Sequence, residues 1–213
     1  MKITVLGVAG NVGRRIVNEA LSRGHEVTAV VRSFNRTRAL PPAAIEKIGN
    51  ATKIEDIVRL SAGQDLVINA TRSATSNVEE VVNVTKAIME GLASTGVRLL
   101  IVGGAASLTV PGGNGKKVID APQFLAPSLR HIGEASFAQY ETSLQERRVD
   151  WSYLSPPADL KPGKRTGKYR LGRDELVVDC HGTSSLSIED LAVVVLDEAE
   201  NPRHHQTRFT AAY

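Results

Sequence analysis

The sequence predicts an α/β fold built on a doubly wound parallel sheet, with a small C-terminal lobe. Three observations carry this. Short apolar runs alternate with stretches of helical periodicity up to about residue 154, a glycine-rich turn joins the first run to the first helix, and the alternation breaks after Pro156-Pro157. At 213 residues, 42% apolar and 23% charged, the chain can bury one good core. That length suits a single domain of residues 1–213 with an accessory lobe at about 156–186, plus a C-terminal helix and strand.

Residues 3–6 form a short run buried on both sides, and residues 11–23 place Val12, Ile16, Val17, Ala20 and Leu21 at helical spacing before Gly24 ends the helix. Strands follow at 26–31, 45–48 and 65–70, with a short amphipathic helix at 54–60. Ser76 and Glu79 have capping-box spacing ahead of a periodic run to Ala93, closed by Gly96. The near-continuous apolar strand at 97–102 reads as parallel and covered on both faces. Residues 107–127 are rich in Gly and Pro and read as a loop, followed by a helix over 128–148 and a strand over 149–154. Beyond it, 168–171 and 175–178 flank Gly172-Arg173-Asp174 like a hairpin. Ser187 and Asp190 open a helix to about Glu200, and 206–211 is the last strand.

Composition excludes several classes. The single cysteine, Cys180, rules out an internal disulfide and suits a reducing cytoplasm. No apolar run reaches the length of a membrane span. The net charge of +3 is scattered and aromatic residues make up only 4%, which argues against a nucleic-acid partner. Cys180-His181 and His204-His205 lack ligand spacing, so no metal is expected.

The most informative stretch is Gly7-Val8-Ala9-Gly10-Asn11-Val12-Gly13, which leaves a predicted strand and opens a predicted helix. Gly7 permits the sharp turn, Gly10 lets a pyrophosphate approach the backbone, and Gly13 lets the helix pack on the strand. The helix N-terminus supplies unpaired amides and partial positive charge for the phosphates. The reading is Rossmann-like nucleotide binding, and the G-x-x-G-x-x-G spacing is the short-chain dehydrogenase form. At the end of the second strand, where NAD sites carry an acid for the ribose hydroxyls, this chain has Arg32 followed by Ser33. A guanidinium pairs bidentately with a 2′-phosphate, so NADP(H) is the expected cofactor. Arg36 and Arg38 either add charge there or solvate a surface turn.

With these residues, Val-Gly-Gly-Ala at 102–105 and Arg-Thr-Gly-Lys-Tyr-Arg-Leu-Gly at 165–172, the chain resembles the atypical short-chain dehydrogenase/reductase group that includes biliverdin reductase B/flavin reductase-like and NmrA-like proteins. The resemblance implies that Gly7, Ala9, Asn11 and Val12 lie on the pyrophosphate and that Arg32 and Ser33 lie on the adenosine phosphate. It implies Ala70, Thr71 and Arg72 along the cofactor, with Gly103, Gly104, Ser155 and Pro156 on the nicotinamide side. Many relatives carry Asp against the adenine where this chain has Asn50-Ala51, whose amide can still hydrogen-bond to the base.

The chain departs from ordinary short-chain dehydrogenases in lacking Tyr-x-x-x-Lys: Tyr140 is followed four residues on by Leu144, Tyr153 by Pro157 and Tyr169 by Arg173. His131 and Tyr140 are the candidate proton donors, and Trp151 and Tyr153 read as core. The leading expectation is therefore an NADPH-dependent reductase acting on a quinone, a flavin or another aromatic compound, since a conjugated acceptor spreads the charge that hydride brings. The alternative is an NmrA-like NAD(P)-sensing regulatory protein without turnover. The expected assembly is a monomer or homodimer.

Overall fold

In a computed structural model of the chain, residues 1–33, 40–72 and 77–213 are described; Arg36, Arg38 and Ser76 lie outside them. Strand β1 (Lys2–Leu6) leads through the glycine turn into helix α1 (Asn11–Ser22), and β2 (Glu26–Val31), β3 (Ile45–Ile48) and α2 (Ile54–Ser61) follow. The chain then returns through β4 (Leu66–Asn69), α3 (Val78–Thr95), β5 (Arg98–Val102), α4 (Arg130–Leu144) and β6 (Trp151–Ser155). The C-terminal part contains β7 (Asp159–Lys161), β8 (Arg170–Gly172), β9 (Ser185–Ser187), α5 (Ile188–Glu200) and β10 (Thr207–Ala212).

The main sheet has eight strands in the order β3-β2-β1-β4-β5-β6-β10-β8, all parallel except β8, which runs antiparallel to β10. The chain winds outward from β1 to β3, then crosses back to lay β4 beside β1. That reversal places the topological switch between β1 and β4, and ligands of such sheets bind outside the carboxyl ends of the strands there. One face packs Ile3, Val5, Val27 and Phe209 against Ile16 and Val17 of α1 and Leu191 and Val195 of α5. The other packs Leu6, Val67, Leu99, Ile101, Trp151 and Tyr153 against Ile57 of α2 and Ile88 and Leu92 of α3. Both faces being covered explains why the strands read as continuous apolar runs. No described helix is long and apolar enough to cross a membrane.

Several expectations need correction. The hairpin at 168–178 does not form. β8 instead completes the open edge of β10, with Thr210 opposite Gly172, while Glu175 bridges Thr109 and the Leu176 amide donates to the Thr109 carbonyl. Burial decides this: Leu176 enters a third apolar cluster with Leu108 and Val118, so the loop after β5 and the segment after β8 share a small core. The N-cap of α3 is Asn77, whose side chain accepts from the Glu80 amide at 3.2 Å. Helix α4 stops at Leu144, short of the expected end, because the chain turns at Glu146, whose carbonyl accepts from the Trp151 indole. The expected C-terminal helix and strand extend the main sheet, with α5 against α1 and β10 beside β6.

Ser187 does cap α5, accepting from the Asp190 amide at 2.9 Å. Asp190 itself is fully buried, and its carboxylate receives the Thr166 amide and hydroxyl at 2.7 and 2.6 Å, the Gly167 amide at 2.8 Å and the Tyr213 hydroxyl at 2.7 Å. Burial pushes this carboxyl up, but the hydrogen bonds from Thr166, Tyr213 and Gly167 outweigh it and leave it below its ordinary range. A depressed carboxyl contributes stability that is full above the unfolded value, near 3.9, and is lost as pH falls through the folded one. Asp190→Asn should therefore lower unfolding free energy by about 2–4 kcal/mol near neutral pH and flatten the acid limb of stability. Denaturant titrations at neutral and acidic pH measure both effects.

Candidate functional site

The turn after β1 is built by backbone contact. Gly7 has a φ of +84°, and a Cβ there would fall 2.4 Å from the Ala70 carbonyl oxygen after β4. A Cβ on Gly13 would fall 2.3 Å from the Gly7 carbonyl oxygen, so α1 approaches the turn more closely than any side chain allows. Gly10 differs: its Cβ position meets only that same oxygen at 3.3 Å, and Ala9, Gly10 and Asn11 are exposed while Val12 is half-buried. Gly10 is the N-cap of α1, it has no side chain to cap the helix, and no acid occupies the first turn. The start of α1 is thus exposed at the carboxyl edge of the sheet, with its partial positive charge uncompensated by any acid of that turn.

The other carboxyl ends lie along the same edge of the parallel sheet. Arg32 and Ser33 leave β2, Arg32 exposed and without a hydrogen-bond or ion-pair partner among the described residues. Asn50 turns its side-chain oxygen to the Thr52 amide at 3.1 Å and gives its own amide to Asp56 at 2.9 Å, so its side-chain NH2 is the group left for a ligand. Ala51 packs against the core beside it. After β4, Thr71 donates its amide and hydroxyl to the Asn69 oxygen at 3.0 and 2.6 Å, Ala70 is half-buried and Arg72 is exposed. The Asn69 side-chain nitrogen and the Ser155 hydroxyl are buried without partners among the described residues. Orphaned polar atoms at the ends of β4 and β6, with the glycine turn after β1 on the other side of β4, fit a polar ligand lying across the edge.

Gly103 and Gly104 serve a further purpose. A Cβ on Gly103 would meet the Tyr153 hydroxyl at 2.0 Å, and one on Gly104 the Ser136 hydroxyl oxygen at 2.5 Å. These glycines let α4 and the Tyr153 ring close up beneath the loop after β5. Tyr153 is fully buried, as expected, and donates to the Ser136 carbonyl at 2.9 Å; burial drives its phenol above the ordinary range. Pro156 is buried directly after β6.

The two candidate donors occupy unlike environments. His131 is exposed in the first turn of α4, with no hydrogen bond among the described residues. Tyr140 is half-buried, its ring 5.0 Å from that of Tyr153 and 4.3 Å beneath the guanidinium carbon of Arg208. Its hydroxyl has no hydrogen bond among the described residues and is not sealed from solvent. Burial pushes this phenol up, Arg208 pulls it down and Asp174 pushes it up again. Arg208, Asp174 and Ser107 were not singled out as a group by sequence reasoning. A lone arginine inside the apolar run of β10 is the signal that points to them.

A profile of the family described as NAD(P)H-binding matches residues 7–202. YwnB, an uncharacterized protein of Bacillus subtilis (strain 168), is 37% identical over 99% of this chain and 97% of its own length. A solved structure from Bacteroides thetaiotaomicron, named as a candidate epimerase, is 37% identical with a TM-score of 0.90, covering 100% of this chain and 96% of that one. Another from Streptococcus pneumoniae, named as a candidate NADH-flavin reductase, is 28% identical with a TM-score of 0.87, covering 100% and 99%.

The glycine contacts rank two substitutions. Gly13→Ala must push α1 off the Gly7 carbonyl and should cost about 2–3 kcal/mol, whereas Gly10→Ala should cost less than about 1 kcal/mol. Thermal or denaturant unfolding of both variants checks the order.

Proposed function

The chain belongs to the NAD(P)H-binding family, and from that premise we propose that it is an NADPH-dependent reductase delivering hydride to a conjugated acceptor such as a quinone or flavin. The observation that carries the cofactor choice is Arg32: an exposed, unpartnered guanidinium among the described residues, at the strand end where an acid would bind ribose hydroxyls. Gly7, Ala9, Gly10, Asn11, Val12 and Gly13 would hold the pyrophosphate, and Arg32 and Ser33 the 2′-phosphate. Asn50 and Ala51 would border the adenine, and Ala70, Thr71 and Arg72 the middle of the cofactor. Gly103, Gly104, Ser155 and Pro156 would border the nicotinamide, which when bound supplies the hydride.

The acceptor class follows from the donor chemistry. A saturated ketone develops a localised alkoxide and needs a strong adjacent acid. No tyrosine here has a lysine one helical turn on, and Tyr153 is committed to the Ser136 carbonyl. Tyr140 is the better-situated donor, with a hydroxyl unbonded among the described residues and a cation against its ring, while His131 lies exposed at the helix start. A conjugated acceptor delocalises the incoming charge, so one weak donor and good alignment suffice. The small apolar core shared by the loop after β5 and the segment after β8 would form the acceptor-side lobe.

Titrating NADPH and NADH into wild type and Arg32→Ala should show NADPH preferred by about ten- to a hundredfold, with the preference lost in the variant. Equal preference before and after would contradict it. Gly10→Val should weaken NADPH binding more than about tenfold with little change in melting temperature. In steady-state assays NADPH should be consumed with quinones or flavins and hardly at all with aliphatic ketones; Tyr140→Phe should slow turnover and His131→Ala should slow it less. Tight NADPH binding without consumption across a broad panel of acceptors would replace the reductase by an NAD(P) sensor.

A further inference from the structure

Arg208, the second residue of β10, is 4% exposed and lies opposite Tyr153 of β6. Burying a guanidinium is costly unless its donors are satisfied, and an apolar side chain of similar volume would serve the packing as well or better. Its donors are spent on function-side loops rather than on the sheet. Nε and Nη2 reach Asp174 at 3.2 and 2.6 Å, and Nη1 reaches the buried Ser107 hydroxyl at 2.8 Å. Asp174 is 66% exposed, so the counter-charge sits at the surface while the cation sits inside. Between these anchors the guanidinium lies over the Tyr140 ring. The Asp174 carbonyl also accepts from the Thr109 amide and hydroxyl, so the same cluster ties the loop after β5 to the segment after β8.

We propose that Arg208 is a positioning residue for Tyr140: stacked on its ring and tied to Ser107 and Asp174, it holds the phenol at the acceptor side of the crevice and stabilises the negative charge left when the phenol gives up its proton. This rests on the reading of Tyr140 as the proton donor. With a quinone as acceptor, bound dihydronicotinamide would supply the hydride and be oxidised, and a quinone oxygen would take the proton of Tyr140. The phenol O–H bond breaks, and the phenolate recovers a proton from water. A cation over the face of a neutral phenol gains from the ring quadrupole, and it gains more from a phenolate, whose charge spreads into the ring. The charged groups that act most on Tyr140 are Arg208 from β10 and Asp174 from the segment after β8, with Tyr153 from β6 against its ring, while Lys86 and Glu90 of α3 line the groove beside Glu141 of α4.

The two charges make predictions of opposite sign. The Tyr140 phenolate is followed by its ultraviolet absorbance during pH titration of the intact protein, as the difference between each protein and its Tyr140→Phe counterpart. Arg208→Met should move the Tyr140 transition to higher pH, Asp174→Asn should move it to lower pH, and Arg208→Lys should fall between Arg208→Met and wild type. A merely structural tether would give shifts of one sign, because both substitutions release the same segment. Asp174→Asn changes an exposed side chain that still offers Arg208 a neutral acceptor oxygen, and keeps the test open where Arg208→Met fails to fold. The alkaline limb of kcat for quinone reduction should shift in the same directions, with kcat in Arg208→Met falling about tenfold or more at unchanged NADPH affinity. Shifts of equal sign, or none, overturn the proposal. Turnover without these signs removes Arg208 and leaves the reductase; these signs without turnover leave the coupling of Arg208 to Tyr140 and remove the reductase.

Discussion

Everything at the carboxyl edge of the sheet depends on how closely three stretches of backbone approach at Gly7, Gly13 and Ala70. With hydrogen in place of Cβ at Gly7 and Gly13, β1 turns sharply into α1, α1 settles against the turn, and β4 closes on it from the other side. A methyl group at either position would meet a carbonyl oxygen at 2.4 Å or less. The helix N-terminus is thereby aimed at the switch point of the sheet, where its amides face open space. Gly10 has room for a side chain as far as the protein is concerned, and a glycine there makes sense as an allowance for something outside it.

Two buried charges organise the irregular C-terminal part around this frame. On the α1–α5 face, Asp190 gathers Thr166, Gly167 and Tyr213, while Arg165 and Arg15 reach across to Glu19 and Glu189 at 2.7 and 2.5 Å. On the opposite face, Arg208 gathers Asp174 and Ser107 over the Tyr140 ring. Both groups are costly to bury and are satisfied by polar partners. A segment with few strands of its own is in this way held against a sheet whose core it barely enters. The α1–α5 tether is structural in character, whereas the second meets the ring of a phenol whose hydroxyl has no hydrogen bond among the described residues.

The strands and the glycine turn were legible in the sequence because each has a local cause. Strands β2 and β3 are found at the expected residues, and Ser187 caps α5 as its spacing indicates. The pairing of β8 was not legible: Gly172-Arg173-Asp174 has the composition of a tight turn, and only the open edge of β10 and the burial of Leu176 show why the chain continues instead. Nor could the sequence rank His131 against Tyr140. What separates them is a cation from β10, far along the chain, and an arginine's partners cannot be read from its neighbours. The crevice itself was legible as a set of strand ends, though the orphaned atoms of Asn69 and Ser155 appear only once neighbouring strands are in register.

The central claim is that a dinucleotide lies across the glycine turn with its adenosine phosphate at the end of β2. Backbone amide hydrogen exchange with and without saturating NADPH tests it most directly. The account predicts new protection at the amides from Gly10 through Gly13 and at Arg32 and Ser33, with NADH protecting the turn but not Arg32. Protection confined to another surface, such as the groove between α3 and α4 that Lys86, Glu90 and Glu141 line, would contradict it.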